Sequence, residues 1–166
     1  MLRSGAMMYE SRIMHNRCPI YWSAGGGVNS SAGTLVNCQI VSNTAADAYM
    51  TGGVYCHGDT ILRNCLIVGN GRGRVTSSDG VGINGCKAIL QNCTIVSNYG
   101  SGIGTYYGGG SCFMTNTICH YNSDAALVTA AGAMVMVDGC VSRTNAMTEG
   151  SSGTFTNDPR FVNAAA

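Results

Sequence analysis

Charge is scarce in this chain of 166 residues. Charged side chains make up 10% and the net charge is +1, where about 25% charged residues is usual. That balance leaves no basic stripe for phosphate backbones or anionic headgroups, so no nucleic-acid partner is expected. Proline is nearly absent. The 24 Gly and 2 Pro together are about 16% of the chain, short of the ~25–30% of low-complexity disorder. Apolar runs are short as well. None reaches the ~18 residues of a membrane span, and Met1 to Glu10 holds no apolar stretch of signal-peptide length. No membrane span is therefore expected. With 45% hydrophobic residues the chain can still build a core. At this length a single domain over residues 1–166 is expected.

What is abundant is glycine, together with 14 Asn, and the Asn recur with a period. Ile89-Leu90-Gln91-Asn92-Cys93-Thr94-Ile95-Val96-Ser97-Asn98 aligns without gaps to Thr34–Asn43, Ile61–Asn70 and Phe113–Asn122. Met136–Asn145 reads as a degraded copy and Met14–Ser23 as a weaker one. A small-hydrophobic step accompanies each block: Ala6-Met7, Gly27-Val28, Gly53-Val54, Gly82-Ile83, Gly102-Ile103 and Ala126-Leu127. The last column, Ser23, Asn43, Asn70, Asn98, Asn122 and Asn145, advances by 20, 27, 28, 24 and 23 residues. Such a series predicts a solenoid of about six coils of 20–28 residues.

Helical solenoids are excluded by recurrent Gly and by the absence of a 3.6-residue stripe. Leu90-x-x-Cys93-x-Ile95-x-x-Asn98 also fits a leucine-rich repeat strand, but only 6 Leu occur and no Leu-anchored helix follows the Asn. A right-handed parallel β-helix, an all-β fold, accommodates every part of the repeat. Leu90 and Cys93 are three apart, whereas same-face residues of one strand are two apart, so a bend at Gln91-Asn92 must lie between them. Asn suits that bend because it tolerates left-handed backbone angles. Two structural ladders follow: Asn37, Asn64, Asn92 and Asn116 at one corner, and Asn43, Asn70, Asn98, Asn122 and Asn145 at the other. Stacked amides can hydrogen-bond along such columns.

The Gly-Gly-hydrophobic step with Asn-Cys-x-Ile-x-x-Asn resembles the parallel β-helix repeat proteins of the pectin-lyase-like superfamily. It is also similar to the repeats of polymorphic outer-membrane, adhesin-like surface proteins, and Asp158-Pro159-Arg160-Phe161-Val162 resembles the segment that closes such domains. The resemblance covers about residues 5–162. It implies a bacterial protein, extracellular or at the cell surface. It leaves function open, because such folds carry lyases, hydrolases, adhesins and passive stalks alike.

The chemistry-bearing residues narrow the choice. Cys18, Cys38, Cys65, Cys93 and Cys140 fall in one inward column and read as small buried hydrophobes, reduced. Cys56-His57 and Cys119-His120 are adjacent pairs aimed to opposite faces of a strand, so no metal site is expected. No helix follows the Gly-rich stretches, so they are not dinucleotide loops, and no cofactor is expected. The resemblance implies that lyases and hydrolases of this superfamily would carry catalytic carboxylates on the strand after the Gly-rich step. There the outward column reads Met8, Asn29, Tyr55, Asn84, Gly104 and Val128, without an acid. No catalytic residue is therefore assigned. Two long connections, Thr44–Gly52 and Gly71–Val81, should project side by side from consecutive coils. They offer Asp47, Tyr49, Arg72, Arg74 and Asp79 as binding groups, with Tyr to stack on sugar rings and Arg and Asp to bond hydroxyls.

The expectation is a non-catalytic extracellular scaffold, surface or adhesin-like, with a carbohydrate or host-surface ligand. The competing reading is a polysaccharide lyase or glycoside hydrolase whose catalytic coils lie partly outside this chain. A passive spacer is the third. Uncapped terminal coils further predict a fragment of a longer solenoid that associates end to end.

Overall fold

The computed structural model describes residues 1–19, 25–45, 51–71, 80–84, 87–106, 110–123, 127–128, 134–138 and 141–142, with the backbone alone at 82–84, 106 and from 127 onward. The described residues form a parallel β-solenoid. Each block folds as two short strands around a left-handed bend. In the second, Thr34–Val36 is followed by Asn37 at φ 55° and then by Gln39–Val41, with Ser42 at φ 53° closing the coil's second corner. Left-handed angles cost an ordinary L-residue roughly 1–2 kcal/mol, a cost that Asn reduces by bonding locally. The bend brings Leu35, Cys38 and Ile40 to the same interior, with all three fully buried.

Stacked coils share three parallel sheets. The Leu face contains Met7–Tyr9, Thr34–Val36, Thr60–Arg63, Lys87–Gln91, Ser111–Thr115 and Met134–Asp138. The Ile face contains Arg12–Met14, Gln39–Val41, Leu66–Val68, Thr94–Val96, Ile118–His120 and Val141–Ser142. The Val face contains Val28–Ser30, Val54–Cys56, Val81–Asn84, Ile103–Tyr106 and Leu127–Val128. Register follows the inward residues: Leu35, Leu62 and Leu90 stack on one face, and Ile40, Ile67 and Ile95 on the next. Each of these six is fully buried. Burial at that depth stabilises by about 1.5–3 kcal/mol per side chain, and a one-residue slip would turn the column outward.

Several assignments made from the repeat are corrected by this register. The first block is Met7 to Asn16 and not Met14–Ser23, because Met7 pairs with Thr34 and Arg12 with Gln39. Met8 and Ile13 then pack against the core, and Glu10 and His15 take the left-handed corners at φ 47° and 56°. Neither residue type announces such a bend, which is why the first coil is hard to read. Asn16 accordingly heads the second ladder; Ser23 lies outside the described residues. Cys18 leaves the thiol column and pairs with Ala45 in a short two-stranded sheet, Arg17–Cys18 with Thr44–Ala45. The Leu face, not the Val face, receives Ala6-Met7. In the third coil the small step is Gly80-Val81 and not Gly82-Ile83, since Val81 pairs with Val54. The column read as outward therefore runs Asn29, Tyr55, Gly82, Gly104 and Val128, without Met8 or Asn84. The closing segment 158–162, Asn145 and Cys140 lie outside the described residues.

Candidate functional site

The two Asn columns separate in space. Asn37, Asn64, Asn92 and Asn116 occupy the exposed corner between the Leu and Ile faces, at φ 48° to 55°. There Asn64 Nδ2 donates to Asn37 Oδ1 at 3.1 Å and Asn116 Nδ2 to Asn92 Oδ1 at 2.8 Å. Asn43, Asn70, Asn98 and Asn122 turn inward and are buried, at 0% to 4% exposure. The left-handed residue at their corner is the one before, Ser42, Gly69, Ser97 or Tyr121, rather than the Asn itself. Asn70 shows what the inward position does. Its backbone N–H and Nδ2 both donate to Asn98 Oδ1 at 3.0 Å, and Nδ2 also donates to Ile40 O at 2.9 Å. Its own Oδ1 accepts from the backbone N–H and Nδ2 of Asn43 at 2.9 and 3.1 Å. Asn16 continues the pattern onto Asn43.

That rigid seam has an outer side, and a groove of about 540 Å³ runs along it. One wall is the left-handed corner, His15, Ser42, Gly69 and Ser97; the other follows the ladder Asn, with Arg17, Thr44 and Tyr99. Backbone bonds between coils hold both rows: Ser42 N–H to Val68 O at 3.0 Å, Thr44 N–H to Asn16 O at 2.8 Å and Tyr99 N–H to Asn70 O at 2.8 Å. Arg17 supplies a permanent positive charge at the first-coil end, and Tyr99, 45% exposed, an aromatic ring at the other. Among the described residues that line the groove there is no carboxylate. The volume lies within the ~300–1,000 Å³ of small-ligand sites.

Asp47, Tyr49, Arg72, Arg74 and Asp79 lie outside the described residues. The chain departs toward them from Ala45 and Gly71, each two or fewer positions past a groove-lining or ladder residue. With the step corrected to Gly80, Asn43 to Gly53 and Asn70 to Gly80 each span ten positions, so the two connections are equal in length. The groove was the site that sequence reading missed. Its signal lay in the residues flanking the ladder Asn, which read His-Asn-Arg, Ser-Asn-Thr, Gly-Asn-Gly and Ser-Asn-Tyr in successive coils.

Elsewhere, Tyr55 on the Val face is 4% exposed and meets His57 edge-on, with ring centroids 4.5 Å apart. Desolvation lowers the His57 pKa and so favours the neutral ring. Cys38, Cys65 and Cys93 are buried thiols, and Cys56, Cys112 and Cys119 are likewise buried. The hydrogen bond with Cys93, with burial second, raises the Cys65 pKa, and the same bond lowers that of Cys93. Among the described residues no three His, Cys, Asp or Glu are grouped to hold a metal ion. No helix among them is long and apolar enough to cross a membrane. No family model matches the chain, and no curated protein matches its sequence.

Proposed function

We propose that this chain is part of an extracellular, surface-exposed scaffold that holds carbohydrate without transforming it. In this reading the fold is a right-handed β-helix of six coils, akin to the pectin-lyase-like and adhesin-like repeat proteins. Among the described residues two of the four sheets have six strands, and parallel crossovers are right-handed in nearly every known case. The single observation that carries the function is the groove on the second corner. Its Ser and Thr hydroxyls, its cation and its exposed Tyr99 are the groups that recognise a hydroxyl-rich ring. Glycoside hydrolysis needs two flanking carboxyl groups, and the described lining offers none. The stacked Asn columns serve as structural ladders that keep the groove walls in register.

The test is to incubate the purified chain with linear neutral and acidic polysaccharides and to follow retention, new reducing ends and unsaturated products together. Retention without either product is the expected outcome. Turnover would favour the lyase or hydrolase reading, and neither retention nor turnover would leave a passive spacer.

A further inference from the structure

Each ladder Asn has one residue before it and one after it on the outer surface of the corner. Side chains fill both positions in the first, second and fourth coils; in the third both are Gly, at Gly69 and Gly71. Gly71 has a backbone reason, with φ at 89°. Gly69 is left-handed too, at φ 63°, but the angle alone does not require Gly, since His15 at 56°, Ser42 at 53°, Ser97 at 54° and Tyr121 at 53° carry side chains there. Space is not the reason either: a Cβ at Gly69 would touch Ser42 Oγ at 3.4 Å, ordinary contact, and nothing else within 4 Å. What the missing side chain does is leave a gap in that wall of the groove, between Ser42 and Ser97. These flank Gly69 on the preceding and following coils, and so lie about 10 Å apart at ~4.8 Å per coil. Tyr99, two positions beyond Ser97, lines the same groove.

We propose that the gap at Gly69 is the seat of one pyranose ring of a bound glycan, resting on the carbohydrate reading above. A pyranose presents an apolar C–H face and a rim of hydroxyls. The face would lie on the Tyr99 ring, whose body is apolar, and the rim would meet the hydroxyls of Ser42 and Ser97. The seat is a binding subsite and involves no bond-making step.

The experiment uses the whole chain and a panel of linear six-unit oligosaccharides of glucose, xylose, mannose and galacturonic acid, with affinity measured by calorimetry for each that binds. Gly69→Ser installs the residue that neighbouring coils already carry at that φ, so its melting temperature should stay within a few degrees of the parent. Its affinity should fall by about tenfold or more, equivalent to ~1.4 kcal/mol, and Tyr99→Ala should fall likewise. Thr115→Ala, on the Leu face, should bind as the parent does. Gly69→Asn, a residue that tolerates the left-handed angle, keeps the test alive if the serine variant fails to fold. Parent binding with undiminished binding by Gly69→Ser and Tyr99→Ala overturns the seat and leaves the scaffold reading intact. Failure of the parent to bind any of the four sugars overturns the carbohydrate reading, and the seat with it.

Discussion

Asn64 and Asn70 lie six positions apart in one coil, and the chain uses the same side chain for different ends. Asn64 is exposed at φ 52° and makes its amide bond to Asn37 in water. Asn70 is fully buried, and its amide links Asn43, Ile40 and Asn98. The exposed column answers a backbone demand, a left-handed turn that few L-residues make cheaply. The buried column answers a satisfaction demand, because polar backbone at a corner turned into the core must find partners. Their polarity differs too. Amides of the exposed column donate toward the preceding coil, as Asn64 does to Asn37, whereas those of the buried column donate both ways, as Asn43 does to Asn70 on the following coil and to Ile13 O on the preceding one.

That difference sets the sizes of the mutational effects. Asn70→Ala should be the most damaging, at roughly 3–6 kcal/mol, because two or three buried partners are left unsatisfied at ~1–3 kcal/mol each. Denaturant unfolding measures it. A cost below that of an exposed-column variant would break the comparison. Ile67→Ala, in the same coil, gives a purely apolar yardstick of about 2–5 kcal/mol by the same assay.

Asn64→Ala should cost about 1–2 kcal/mol, the strain of a left-handed Ala, and Asn64→Gly should cost less than about 1 kcal/mol because Gly carries no such strain. If Asn64→Gly were as costly as Asn64→Ala, the exposed amide ladder rather than the backbone angle would be the stabilising feature.

The thiols beside these columns sharpen the contrast along a pH axis. Burial raises the Cys38 pKa, and the Cys93 hydrogen bond together with burial raises that of Cys65, both from an ordinary 9.0. The unfolded chain therefore releases these protons first. Their contribution to stability is whole below about pH 9 and is lost as the pH rises from there. Cys93, shifted the opposite way, adds stability only as the pH rises toward 9 and leaves the slope above it unchanged. The melting temperature should fall above pH 9, and Cys38→Ala should flatten part of the slope. An unchanged slope would remove Cys38 from the explanation.

The repeat was legible wherever local demand and core packing chose the same residue. Asn37, Asn64 and Asn92 mark bends, and Leu and Ile at fixed offsets mark the interior, so the parallel β-solenoid could be read from spacing alone. The first coil was not legible, because Glu10 and His15 make its bends while Met8 and Ile13 supply its interior. A cysteine at position 18 then invited a false alignment with Cys38, where the register places Ser11, whose carbonyl accepts from Gln39. In the third coil Gly80 and Gly82 both precede a β-branched residue, and only the pairing of Val81 with Val54 decides between them. The groove was hidden for a different reason. A column of like residues leaves a periodic trace, whereas a cavity is made by departures from the period, and Gly69 is such a departure.

Side-chain amide hydrogen exchange, followed by nuclear magnetic resonance on the intact chain, tests the division of labour between the two columns most directly. The eight amides are chemically alike and differ only in burial and partners. The expected result is slow exchange at Asn43, Asn70, Asn98 and Asn122, with exchange at Asn37, Asn64, Asn92 and Asn116 complete before the first spectrum. Equal protection of the two columns, or faster exchange at Asn70 than at Asn64, would contradict it.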